Sequence, residues 1–159
     1  MANVDYLIQP SPQAIFRGFL GPGNLSCSSG AYNDLGIFAA PGMDTMRLFR
    51  NSMDGNYDMR LHRGINVLRI WLRLQWSAAF TGGIVAVYPV INTIRDLTQP
   101  IIYARPNGVG VYNVGTGIVT DLDVYTTSES TPFNLSVLQT SGSARTLTNC
   151  WAVIEPMKG

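Results

Sequence analysis

From Val67 to Phe80 the chain reads VLRIWLRLQWSAAF, and its residues alternate with a period of two. Leu68, Ile70, Leu72, Leu74, Trp76, Ala78 and Phe80 are apolar, while Arg69, Trp71, Arg73, Gln75 and Ser77 stand between them. A strand sends alternate side chains to opposite faces, so one face here is continuous and apolar. A helix would turn Ile70 and Leu74 away from Leu68. The stretch therefore predicts a long strand with its even positions in a core and Arg69, Trp71 and Arg73 on the outer face. Thr81-Gly82-Gly83 offers the positive φ values of a tight hairpin, with Ile84–Ile91 as the return strand. That second run is apolar on both faces, as a mid-sheet strand is. Pro89 cannot donate to a ladder and should mark the strand's end or a bulge.

The rest of the chain favours the same class. Helix-forming surface residues are scarce, with two glutamates and one lysine, Lys158. Sixteen glycines and nine prolines fit many turns. Further strands are expected at Ala14–Leu20, Leu35–Ala40, Pro100–Arg105, Val109–Val114, Ile118–Thr126, Phe133–Thr140 and Thr146–Met157. Arg60 to Phe80 is expected to run as one extended arm. Pro106-Asn107-Gly108 is a turn signal between two of the strands. Asp44 could cap a short helix through Met53, with strand as the competing reading. Residues 1–34 read as an extended, turn-rich N-terminal segment, and residues 35–159 as a single β-sandwich. About eight antiparallel strands in two sheets suggest a jelly roll, with an immunoglobulin-like sandwich as the alternative.

Charge narrows the functional classes. Only 13% of residues are charged, where about 25% is usual, and the net charge is +1. No basic residue precedes Arg17, so a phosphate-neutralising arm is missing and direct nucleic-acid binding is not expected. MANVDYLIQP has neither the basic nor the apolar part of a signal peptide. Synthesis in a cytosol is the corresponding expectation, with Cys27 and Cys150 as reduced thiols and a disulfide as the alternative if the fold brings them together.

Candidate chemistry is thin. Asp54, Asn56 and Asp58 alternate as in calcium loops, but Met59 and Ile65 stand where an EF-hand needs glycine and glutamate. Asp121 and Asp123 share one strand face without further ligands. His62 is the one histidine, and no GxSxG elbow accompanies it. RPNGVGVYNVGTG lacks the Gly-Lys-Ser/Thr of a phosphate loop, and turns account for its glycines. Neither catalysis, a metal nor a cofactor is expected.

Arg69, Trp71 and Arg73 are the candidate subunit interface, because protein contacts are rich in Trp and Arg and poor in Lys. The chain has ten arginines against its single lysine. The expected long hairpin at 65–91, the Gly/Pro-rich approach to it and the last strand in NCWAVIEPMKG resemble small virion jelly-roll proteins. These include single-jelly-roll capsid proteins and the cement, decoration and spike proteins of bacteriophages. The resemblance implies a structural subunit that assembles with itself or onto a capsid shell, located in the virion. A carbohydrate-binding sandwich is the alternative, with Trp71, Trp151, Tyr103 and Tyr112 stacking on sugar rings.

Overall fold

The computed structural model describes residues 16–20, 24–35, 43–44, 49–51, 57–62, 65, 67–105, 111–120, 122 and 130–157, with the backbone alone at 16–20, 43–44, 49–51, 57–59, 62 and 130. The strands are β1 (Phe16–Leu20), β2 (Leu25–Cys27), β3 (Tyr32–Asp34), β4 (Met43–Asp44), β5 (Phe49–Asn51), β6 (Tyr57–His62) and β7 (Leu68–Trp76). They continue with β8 (Val85–Ile91), β9 (Ile94–Arg95), β10 (Ile102–Ala104), β11 (Tyr112–Val119), β12 (Ser130–Gln139) and β13 (Arg145–Pro156).

Two antiparallel sheets face each other. The first runs β11-β7-β13-β1-β4, and the second β10-β8-β12-β6-β5. The short strands β2, β3 and β9 pair with β13, β12 and β8. Chain order crosses from sheet to sheet at β2 to β3, β3 to β4, β4 to β5, β6 to β7, β7 to β8, β10 to β11, β11 to β12 and β12 to β13. Leaving aside β2, β3 and β9 together with the end strands β4 and β5, four per sheet remain, β11-β7-β13-β1 and β10-β8-β12-β6, and their order is that of an eight-stranded jelly roll. β1, β2 and β3, all within the N-terminal 34 residues, pair with β13 and β12.

The alternation of β7 sets the core. Leu68, Ile70, Leu72 and Leu74 are fully buried and Trp76 is 2% exposed, in one cluster with Val87, Leu135 and Val137 of the opposite sheet. Burial on this scale is the main favourable term in folding a sandwich. The strand ends at Trp76, so Ala78 falls outside it and is exposed, while Phe80 turns back against Trp76 with ring centroids 4.9 Å apart.

Several expectations need correction. β7 and β8 are not a hairpin; they lie in different sheets, and their partners are distant in sequence. Gly83 does take a positive φ of 89°. Its purpose is a close approach, because a Cβ there would lie 2.4 Å from the Thr140 carbonyl oxygen. Backbone and hydroxyl bonds between Ile84 and Thr140 seal that approach. β8 is buried along most of its length, and Pro89 sits inside it, beyond its last pairing with β10 at Val87 and just before its pairing with β9.

Within the Asp44–Met53 stretch the described residues follow the competing strand reading: Met43–Asp44 pairs with β1 and Phe49–Asn51 with β6, while 45–48 and 52–53 lie outside the described residues. Arg60–Phe80 divides into the end of β6 and β7, in opposite sheets. Of the Leu35–Ala40 strand, Leu35 is a buried residue just after β3, and 36–40 lie outside the described residues. Where the sequence predicts two strands, Val109–Val114 and Ile118–Thr126, the described residues form one continuous strand, Tyr112–Val119, and 109–110, 121 and 123–126 lie outside them. Gly115 and Gly117 are strand residues: a Cβ on Gly115 would meet Ile102 Cγ1 at 2.5 Å, and one on Gly117 would meet Ile101 Cα at 2.9 Å. Glycine lets β10 and its approach pack directly on the inner side of β11. The turn signal at Pro106–Gly108 lies outside the described residues.

Cys27 and Cys150 are free and buried. Burial pushes the Cys27 thiol up to about 11 and the Cys150 thiol up to about 12, from an ordinary 9.0. Folding thus favours the protonated thiols. That contribution is fully present below pH 9 and is lost as pH rises through the folded-state values. Thermal melts should show stability falling above about pH 9, and Cys150→Ala should flatten that fall relative to its own value at pH 7. An unchanged alkaline slope in the variant would show that the thiol is not its source.

Candidate functional site

The register of the first sheet arranges its outer face in rows. Across β11, β7 and β13 they read Tyr112–Gln75–Asn149, Val114–Arg73–Trp151, Thr116–Trp71–Val153 and Ile118–Arg69–Glu155. All these residues are exposed or half-buried, while the alternate residues of β7 and most of those of β13 are buried. The predicted interface residues Arg69, Trp71 and Arg73 therefore share the outer face. Arg69 and Arg73 are exposed and Trp71 is half-buried.

The face mixes aromatic and aliphatic side chains with charged and polar ones, and several of the apolar ones are well exposed. Val114 is 55% exposed, Ile118 49% and Tyr112 47%. Contiguous apolar surface of this kind marks a contact region more often than a solvated face. Trp71 and Trp151 stand diagonally across β7 and β13. With Arg73, Gln75 and Asn149 they line an open groove of about 320 Å³. The Asn149 side-chain amide donates to the Gln75 side-chain oxygen at 3.2 Å, which joins the two strands' polar groups at one end of the groove.

The two arginines of the face differ in their partners. Arg69 is paired with Glu155 in the row beside it. Arg73 lies with its guanidinium carbon 4.4 Å from the Tyr112 ring centroid, a cation–π geometry. Among the described residues the ion pairs are Arg69–Glu155 and Arg95–Asp34, and Arg73 belongs to neither. Its charge is held by a ring and left open to a ligand or partner carboxylate.

A second aromatic cluster occupies the outer face of the other sheet. Tyr32 and Tyr88 meet edge to face with centroids 6.1 Å apart. Arg95 stacks 4.0 Å over Tyr32, donates to Ser136 Oγ at 3.0 Å and reaches Asp34 at 3.4 Å. Burial, then the neighbouring Tyr32 and Tyr103, push the Tyr88 phenol upward. Tyr103 itself is 58% exposed. Of the four aromatics suggested as sugar platforms, Trp71, Trp151 and Tyr112 thus gather on one face, and Tyr103 stands on the other.

The contribution of β11 is missing from the sequence reading. Its signal is present: Tyr112, Val114, Thr116 and Ile118 alternate with Asn113, Gly115 and Gly117, a strand whose inner side is stripped to glycine. Asp54, Asn56, Asp121 and Asp123 lie outside the described residues, and for Asp58 and His62 only the backbone is described. Among the described residues no group of three or more His, Cys, Asp or Glu is placed to hold a metal ion.

No family model matches the chain, and no curated protein matches it. A solved structure of infectious bursal disease virus, Gx strain, is similar at 12% identity and a TM-score of 0.46, over 91% of this chain and 33% of that one. The chain thus spans about a third of that protein's length.

Proposed function

We propose that the chain is a virion structural protein, a jelly-roll capsid, decoration or spike subunit that assembles through its sheet faces and performs no chemistry. The observation that carries this reading is the outer face of β11, β7 and β13. There Trp71, Trp151, Tyr112 and Val114 lie around Arg73, and Ile118 lies further along the same face beside Arg69. A broad patch with tryptophan and arginine at its centre matches the anatomy of protein interfaces, where a few such anchors supply most of the association energy. The low charge of the whole chain supports the same reading.

Trp71→Ala should leave the domain folded and weaken assembly roughly thirtyfold, the equivalent of about 2 kcal/mol. Sedimentation of wild type and variant at equal concentration reads this, with circular dichroism as the folding control. Assemblies that sediment alike would remove Trp71 as an anchor. A wild type that stays monomeric at high protein concentration and shows no particles by electron microscopy would overturn the reading.

One observation favours a second reading, carbohydrate binding. The groove brings Trp71 and Trp151 together with the amides of Gln75 and Asn149, the aromatic and polar groups a sugar site combines. Glycan-array binding by a monomer, lost in Trp151→Ala, would establish it.

A further inference from the structure

Arg73 asks something specific of whatever covers it. Removing water from a guanidinium costs several kcal/mol unless an acceptor replaces it, and a carboxylate is the strongest replacement. The Tyr112 ring lies against the group, and among the described residues no carboxylate is paired with it. On a partner surface seated over Trp71 and Trp151, an acidic side chain at this point would supply the strongest acceptor.

The chain carries a suitable one on its opposite side. Among the carboxylates whose side chains are described, Glu155 is taken by Arg69 and is only 15% exposed. Asp96 accepts from the Thr98 backbone N–H, the Thr98 hydroxyl and the Gln99 side chain. Asp34 is 48% exposed and is held by a single long contact, 3.4 Å from Arg95. A carboxylate has two oxygens and room for a second guanidinium. Asp34 also lies beside the cluster of Tyr32 and Tyr88, with Tyr103 exposed on the same sheet, so its surroundings match the aromatic setting of Arg73.

We propose that copies of this chain dock face to opposite face, the first sheet of one on the second sheet of the next, with Arg73 of one donating to Asp34 of the other. This rests on the assembly reading above and names its partner, a second copy. Trp71, Trp151 and Tyr112 then meet Tyr32, Tyr88 and Tyr103 around one ion pair. Such a contact uses two different surfaces, so it continues from copy to copy, closing into a ring if the rotation closes and extending as a filament if it does not.

Charge reversal tests it on the full chain by sedimentation velocity, with circular dichroism as the folding control. Arg73→Asp alone and Asp34→Arg alone should abolish assembly. The two single variants mixed together should co-assemble, as should the double variant, because each restores opposite charges across the contact. The milder pair Arg73→Gln and Asp34→Asn guards against misfolding: each should weaken assembly at least tenfold, and the double no more than either alone. Additive losses in that cycle, or a mixture that stays monomeric, would overturn the contact while assembly of the wild type still stood. A monomeric wild type would overturn both the contact and the reading beneath it.

Discussion

Leu72→Ala should destabilise the folded domain by about 4 kcal/mol, near the upper end of the range for truncating a buried leucine. Leu72 is fully buried at the centre of the first sheet. In register its neighbours are Gly115 on β11 and Ala152 on β13. Neither has a side chain that could lean into the space vacated. The cost of such a truncation depends on how far the site can collapse, and a row of Gly, Ala and Ala collapses little. Urea unfolding should show a lower midpoint with an unchanged slope. Leu68→Ala is a useful comparison, because its partners Val119 and Pro156 are larger and can close part of the gap. Equal losses at the two positions would show that neighbour size is not what sets the cost.

The same register explains what was legible before the structure. The alternation of β7 shows which face is buried, because each side chain reports its own environment. It does not say which strand lies alongside. The partners of β7 are β11 and β13, and the turn-like Gly82-Gly83 suggested β8 instead. Gly83 is required by the Thr140 backbone, a contact 57 residues away that no local pattern encodes. Strand β11 was hidden for a related reason. Its glycines are where Ile101 and Ile102 approach, and a glycine kept for packing looks the same in sequence as one kept for a turn. The face that carries Arg69, Trp71 and Arg73 was legible from one strand. Its assembly with Tyr112, Val114, Ile118 and Trp151 follows from pairing across the sheet and needed the fold. The Arg95–Tyr32–Asp34 cluster joins residues 61 positions apart and left no local trace.

Gln139→Leu should cost about 3 kcal/mol, although leucine is close in volume and more apolar. Gln139 is fully buried at the end of β12. Its amide nitrogen donates to the Cys27 and Ser143 carbonyls, each at 2.8 Å. Its amide oxygen accepts from the Ser141 backbone N–H at 2.9 Å and from the Ser141 hydroxyl at 2.7 Å. Two carbonyls can only accept and a backbone N–H can only donate, so the orientation of the amide is fixed by its partners. One side chain thereby ties β2 to the turn between β12 and β13. Its own backbone carbonyl accepts from Gly30, and Ser29 Oγ accepts from Gly142, which closes the same junction. Leucine would fill the space but leave the Cys27 carbonyl and the Ser141 N–H without these partners, and an unmet buried group costs about 1–3 kcal/mol. Gln139→Glu separates shape from donor supply. Ionised, it keeps the acceptors and loses both donors, facing two carbonyl oxygens with a negative charge; protonated, it regains one donor. Its deficit should therefore exceed that of leucine at pH 7 and shrink as pH falls, because the buried acid's folded-state pKa is raised and its stability is lost as pH rises through that value. Denaturant melts of the two variants at pH 7 and pH 5 read the difference. A glutamate variant as stable as wild type at pH 7 would show that the amide donors do not hold this junction.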